Sequence, residues 1–275
     1  MSDSDKPLLI SFSGGRTSAF MTRVLVDYIK DRETPICFAN TGKEREETLW
    51  FVNECDKRWN LNVVWLEAVI HPEKGVGTTH RIVDYKTASR NGEPFEAMIE
   101  VYGIPNHAFP HCSRELKRRP MDSYCRSLGF TEWERAIRIR ADEQHRISSE
   151  KNMTYPLVEW AIDKRTIYDW WANQDFQLGL MEHEGNCDFC WKKSGNKLVR
   201  LARENPDRLN WWAEMERKYS DLVVPGRSAT SEPTYFFRGR RSANDIKELA
   251  DLSARQGCLF DAFLTDQEED CFCKA

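Results

Sequence analysis

The chain has 275 residues, about two domain-lengths at ~100–200 residues per domain. With 40% hydrophobic and 31% charged residues it is too apolar for a disordered tail and too polar for a membrane protein, and no stretch approaches the ~18 apolar residues of a spanning helix. Forty basic and forty-four acidic side chains leave −4, so bulk electrostatics neither demand nor exclude a nucleic-acid partner; local patches decide phosphate contact.

The opening Met1-Ser2-Asp3-Ser4-Asp5-Lys6 lacks the basic-then-apolar pattern of a secretory signal, so a soluble, cytoplasmic protein without a membrane partner is expected. Residues 8–12 read as a short buried strand that runs into Ser13-Gly14-Gly15-Arg16-Thr17-Ser18, after which residues 19–31 have helical spacing. A second strand at 35–40 ends at Thr41-Gly42 and precedes a helix around 46–59; a third strand follows at 62–67. A fourth is expected at 134–140, beyond an insertion of about 70–129 rich in Gly, Pro and charge. Strands alternating with helices at this spacing predict an α/β fold with a Rossmann-like parallel sheet and helices on both faces. After Tyr155-Pro156-Leu157 the chain turns helical, aromatic and Cys-bearing, which puts a soft boundary near residue 150, between domains 1–150 and 151–275. Residues 226–241 read as an ordered loop with a basic tip.

The strand–Ser-Gly-Gly-x-x-Ser–helix element suits a phosphate. Gly14 and Gly15 let the backbone turn tightly and bring N–H groups close to an anion, Ser13, Thr17 and Ser18 add hydroxyl donors, and the helix offers its positive end. It is neither GxxxxGK[ST] nor GxGxxG.

Ser11-Phe12-Ser13-Gly14-Gly15-Arg16-Thr17-Ser18 resembles the PP-loop of the N-type ATP pyrophosphatases, and more specifically their phosphoadenosine phosphosulfate (PAPS) reductase-like branch. The run from Phe38 through Asn40, Thr41, Gly42 and Glu44 to Thr48 resembles the end of that family's second strand, beside the nucleotide. The Cys112-Ser113-Arg114-Glu115-Leu116-Lys117 and Gly185-Asn186-Cys187-Asp188-Phe189-Cys190 segments resemble those of a microbial and phage-associated subgroup. The resemblance covers most of 8–220. It implies an adenine nucleotide alpha hydrolase-like fold, with Ser11, Ser13–Ser18, Asn40, Thr41, Gly42 and Glu44 around an adenine nucleotide. It further implies cleavage of ATP between the α and β phosphates, helped by Mg2+. Arg16 and Thr17 stand where related tRNA-modifying enzymes carry Lys-Asp, which leaves the Mg2+ arrangement open.

Nine Cys is an odd number, and clustered Cys in a reducing compartment mark metal, cluster or redox chemistry. Cys187-x-x-Cys190 is a two-ligand clamp, Cys112 a third candidate, and Cys271 and Cys273 at the tail offer a fourth. Thiolates alone do not separate Zn2+ from iron–sulfur; the subgroup resemblance implies a 4Fe-4S cluster. Cys37, Cys55 and Cys125 fit core packing, and Cys258 stays undecided.

Charged residues at a parallel strand's carboxyl end point toward the ligand crevice. Arg16, Arg140 and Asp142 are therefore the candidate catalytic residues, with Glu143 and Arg146 beside them. Arg114, Lys117, Arg118 and Arg119, Lys192, Lys193 and Lys197, and Arg238 to Arg241 after Tyr235-Phe236-Phe237 suit phosphate contact or a solvated face equally. The Trp170-Trp171 and Trp211-Trp212 pairs are expected in packing.

The leading reading is an ATP-dependent sulfurtransferase that adenylates a substrate oxygen for replacement by sulfur. The resemblance implies DNA phosphorothioation or another nucleic-acid thiolation, with a cysteine desulfurase as sulfur donor. One alternative is a PAPS or APS reductase, although the tail Asp270-Cys271-Phe272-Cys273 differs from the Glu-Cys-Gly type and the adjacent-Cys pair is missing. Another is a non-catalytic nucleotide-binding adaptor.

Overall fold

The computed structural model describes residues 6–29, 32–73, 76–224 and 232–256. β1 (Leu8–Ser11), β2 (Ile36–Asn40) and β3 (Val64–Ile70) form the centre of the sheet, and β1 and β2 are buried throughout. α1 (Arg16–Tyr28) follows β1 and α2 (Glu46–Trp59) follows β2. α2 carries Glu46 and Glu47 in its first turn and Lys57 and Arg58 in its last, both signs favourable to the helix dipole. It stops at Asn60, in the left-handed conformation at φ 51°.

The insertion supplies β4 (Thr78–Val83), α3 (Glu93–Tyr102), a π-helical turn at Arg114–Arg118 and α4 (Arg119–Ser127). β5 (Glu134–Ala136) and β6 (Met153–Thr154) complete the sheet. Then come α5 (Pro156–Glu159), α6 (Lys164–Ala172), α7 (Gly195–Glu204), α8 (Asn210–Tyr219) and α9 (Ala243–Gln256). Among the described residues the sheet runs β4-β3-β2-β1-β5-β6, parallel at every pair except β3/β4.

The α/β class is as expected, with two departures. β4 returns antiparallel from β3, and its polar, half-exposed residues suit a sheet edge. The strand expected at 134–140 pairs only over Glu134–Ala136; Ile137 and Ile139 keep the alternation and stay buried, but the chain leaves the sheet.

Alternation along the strands assigns both faces. Leu8, Ile10, Phe12, Phe38 and Trp65 point into one core with residues of α1, α2 and α6, including Phe20, Phe51 and Trp171. Leu9, Cys37, Ala39 and Leu66 point to the other face, against Met121 and Cys125 of α4. A further core joins Phe95 and Met98 of α3 to Leu198, Trp212 and Phe236. Residues on both sides of position 150 share the first and the last of these cores.

Trp170 and Trp171 meet edge-to-face at 4.8 Å and Trp211 and Trp212 at 5.1 Å. Each fully buried ring contributes about 1.5–3 kcal/mol through burial. Burial also pushes the thiols of Cys37, Cys55 and Cys125 up, that of Cys125 to about 11, as packing residues require. No described helix is long and apolar enough to cross a membrane.

Glu216 of α8 holds the segment leading to α9, accepting from Phe236 N at 3.1 Å and Ala243 N at 2.7 Å. Burial raises its carboxyl from 4.5 to about 7. The folded chain therefore keeps a proton that the unfolded chain loses between these values. This contribution to stability is whole below pH 4.5 and is lost as pH rises through 7. Calorimetric Tm followed from pH 4.5 to 7 should contain this downward component, and Glu216→Gln should remove it; an unchanged slope in the variant would refute the assignment.

Candidate nucleotide and thiol site

Parallel pairing brings the chain leaving β1, β2 and β5 to the same, carboxyl end of the sheet. The chain steps from β1 to β2 and β3 on one side and returns to β5 on the other, so β1/β5 is the topological switch point where open α/β sheets form their ligand crevice. Residues 13–18 and 137–146 flank that point.

Gly14 has φ +76°, and a Cβ there would meet Thr48 Cγ2 at 2.6 Å. Gly15 opens α1 from extended backbone, and a Cβ on it would meet nothing within 4 Å, so this turn presents main chain to open space. Ser13 Oγ donates to Ser18 Oγ at 3.1 Å, while Ser18 Oγ takes Gly15 N at 3.2 Å and donates to Gly15 O at 2.9 Å. Thr17 is half-buried and Ser11, in β1, is buried. The first turn of α1 holds no acidic side chain. The positive helix end is therefore left to an anion, and the loop itself offers no carboxylate to Mg2+.

Arg16 is turned toward its own chain. Its guanidinium donates to the carbonyls of Leu178 and Leu180 and lies 5.9 Å from the Tyr168 ring, and Trp171 Nε1 donates to Arg16 O at 3.0 Å. From there the segment 178–190 crosses the carboxyl end of the sheet. Arg45, the N-cap of α2, pairs with Glu184 at 2.6 Å, Asp188 N donates to Lys43 O at 3.0 Å, and Cys187 Sγ lies 3.4 Å from Thr41 Oγ1. Arg45 is buried, and its Nε and Nη2 have no hydrogen-bond partner among the described residues.

Asn40 is fully buried, and its amide donates to Glu67 Oε1 at 2.6 Å and Ser89 O at 2.8 Å. It knits β2 to β3 while its Oδ1 accepts from Gly42 N at 3.2 Å. Glu44 turns back onto Thr41, accepting from its N at 2.8 Å and from its hydroxyl, and lies 3.9 Å from Lys117 Nζ. Gly42 sits against Gly92, whose own missing Cβ makes room for Trp211 at 2.6 Å.

Cys112, Cys187 and Cys190 line one pocket with Thr41, Ser113 and Lys117. Three soft donors on one wall are the right kind for zinc or iron–sulfur. Even so, among the described residues no three His, Cys, Asp or Glu side chains stand close enough to hold a metal ion. Cys271 and Cys273, expected to complete the ligand set, lie outside the described residues, as does Cys258.

Beyond β5, Arg140 pairs with Asp142 through two parallel bonds of 2.9 and 3.0 Å and lies 3.4 Å from Glu143. The Arg140 guanidinium holds the Asp142 carboxyl below the usual carboxylate range. Glu143 in turn pairs with Arg146, both buried. Sequence reading missed the Leu178 and Leu180 carbonyls, which carry no residue signature. It also missed Glu67, whose signal was a lone acid within the apolar run 63–70.

This sheet, with a glycine turn at its switch point, defines an α/β nucleotide-binding protein. The phosphoadenosine phosphosulfate reductase domain matches residues 7–168, and the chain belongs to that family. It is 33% identical over 254 residues to the uncharacterized nin region protein ORF290 of Escherichia phage lambda, covering 88% of this chain and 84% of that protein. Two uncharacterized Methanocaldococcus jannaschii proteins, MJ0066 and MJ0973, are 21% and 23% identical over 78% and 87% of this chain, which spans 42% and 53% of their lengths.

Gly14→Ala should cost about 1–3 kcal/mol, because the side chain meets Thr48 and the backbone sits at positive φ. It should also abolish adenine-nucleotide binding. Denaturant titration and isothermal calorimetry check both; wild-type nucleotide affinity in a folded variant would sink the phosphate-loop assignment.

Proposed function

We propose that the chain is a PP-loop ATP pyrophosphatase acting as an ATP-dependent sulfurtransferase, with a nucleic acid as acceptor. The observation that carries the reading is the left-handed turn at Gly14, which leads through an open Gly15 into a helix whose first turn holds no acidic side chain. In the reaction, an acceptor oxygen attacks the α-phosphorus, the bond to the β-phosphate oxygen breaks, and pyrophosphate leaves. A sulfur nucleophile then displaces AMP from the activated centre.

The amides and hydroxyls of 13–18 would hold the phosphates, and Arg45, two of whose nitrogens have no partner among the described residues, supports an anion nearby. Arg140, locked by Asp142, would neutralise charge developing on the α-phosphate. With no carboxylate in the loop, Mg2+ would be held chiefly by the phosphates.

Cys112, Cys187 and Cys190, which share a pocket wall without closing on a single metal ion, would be protein ligands of a 4Fe-4S cluster, its fourth position taken by a tail cysteine or left open. When bound, such a cluster supplies sulfur-carrying or electron-carrying chemistry. The thiol pocket's position beside Thr41 and Glu44 supports placing the sulfur step next to the nucleotide. A cysteine desulfurase is the proposed sulfur source, and the cytoplasm the proposed compartment.

Pyrophosphate should appear when the anaerobically purified protein is mixed with ATP, Mg2+ and an oligonucleotide. Sulfite from PAPS and thioredoxin without pyrophosphate would instead make it a reductase, and neither product a binding adaptor. Cys187→Ala should lose bound iron and visible absorbance while still binding ATP; undiminished iron would remove Cys187 from the ligand set.

A further inference from the structure

The cation-rich insertion is not absorbed by the nucleotide site. Arg114, Arg118, Arg119 and Arg126 line one open cleft with Tyr102, and Arg114 and Arg118 continue into a second cleft with Arg146, Lys192 and His145. The two clefts join through the shared arginines into one groove. Asp122 is the acidic side chain on its lining, and it is engaged by Arg135 and lies 3.9 Å from Arg118. Six cations, Arg114, Arg118, Arg119, Arg126, Arg146 and Lys192, stand against four carboxylates, Asp122 and the partners Glu115, Glu143 and Glu150, which leaves the groove positive on a chain of net charge −4.

The arginines are positioned rather than merely exposed. Glu115 is fully buried in the π-helical turn, and its carboxylate accepts from Arg114 Nε at 2.7 Å, Arg119 Nη1 at 3.1 Å and Thr78 Oγ1 at 2.5 Å. Arg118 is braced by Glu150 at 2.6 Å, and the Arg126 guanidinium lies 5.9 Å from the Trp133 ring. A guanidinium carries five N–H donors, and Glu115 takes one from Arg114 and one from Arg119. The remainder of both forks belongs to the groove they line. The stretch 112–119, built around the wide π turn, a feature common at functional sites, divides its residues between pocket and groove. Cys112, Ser113 and Lys117 line the thiol pocket, while Arg114, Arg118 and Arg119 line the groove. Ser113 lines both the thiol pocket and the second cleft, and Lys192 Nζ donates to its Oγ at 3.1 Å.

We infer that this groove binds the phosphodiester backbone of a nucleic acid and leads it past Ser113 to the thiol pocket. Forked guanidiniums match phosphate oxygens, Tyr102 offers a ring to a base, and a groove of two joined, open clefts suits a chain better than a single small anion. The inference deepens the proposed function and rests on it only for what happens at the groove's end.

Fluorescence anisotropy with a labelled oligonucleotide, in single-stranded and duplex arms and without ATP, tests it on the full chain. Wild-type protein should bind in at least one arm, with affinity falling as salt rises. The double variant Arg119→Gln, Arg126→Glu should weaken binding roughly tenfold or more and reduce the salt slope by about 2. Arg217→Glu, an exposed change on α8 outside both clefts, should bind as wild type. Wild-type affinity in the double variant, no binding in either arm, or displacement by mononucleotide or polyglutamate as readily as by unlabelled oligonucleotide would overturn the inference. Adenine-nucleotide binding read by isothermal calorimetry should be unchanged in the double variant, so groove and nucleotide site are tested separately.

Discussion

The joint on which the site depends is between the glycine turn and a segment more than 160 positions downstream. Arg16 spends its guanidinium on the carbonyls of Leu178 and Leu180, and Trp171 returns a bond to Arg16 O. Charge-assisted bonds of this kind contribute about 1.5–3 kcal/mol each. Their main effect is geometric. Once 178–180 is fixed over α1, the chain that follows is drawn across the sheet and tied by Arg45–Glu184, Lys43 O–Asp188 N and Thr41–Cys187. The glycine turn and the Cys-x-x-Cys loop, far apart in the sequence, therefore share one end of one sheet.

A second constraint comes from two carboxylates with no exposed surface. Glu67 accepts from Asn40, Ser89 and Arg81, and Glu115 from Thr78, Arg114 and Arg119. A buried charge without such partners costs several kcal/mol, so each carboxylate organises what surrounds it. Both reach β4: Glu67 through Arg81, Glu115 through Thr78. The insertion is thereby fastened to the sheet at two points, as a wall between the nucleotide end and the arginine groove.

The strands and helices of residues 8–67 were legible because their signals are local. Apolar runs of four to seven residues, a glycine turn and helical spacing occur in order, and β1 to β3 and α1 to α2 follow them. β4 was not legible, since Thr78-Thr79-His80-Arg81 lacks the apolar face by which a strand is recognised. Arg135, Ile137 and Ile139 kept a strand-like alternation past the point where β5 ends, because burial continues after pairing stops. At the site, residue types pointed to the right end of the sheet but not to the partners. Asn40 and Arg16 are the clearest cases: both have side chains suited to a ligand, and both are committed to their own chain by contacts that no spacing rule encodes.

The cysteines divide by environment in a way that bears on chemistry. Cys37, Cys55 and Cys125 sit among apolar side chains, where burial raises their thiols and keeps them protonated at neutral pH. Cys187 and Cys190 are also buried, in the core with Phe95, Trp191 and Trp212, but with Cys112 they line a pocket whose wall carries Lys117 and the Thr41 hydroxyl as well. A thiol becomes nucleophile or metal ligand only as the thiolate, which polar and cationic neighbours favour and an apolar core opposes. Among the described residues, the pocket wall beside the end of β2 is where cysteines stand next to a lysine and a hydroxyl. Residues 112–119 tie that wall to the groove: Cys112, Ser113 and Lys117 line the one, Arg114, Arg118 and Arg119 the other.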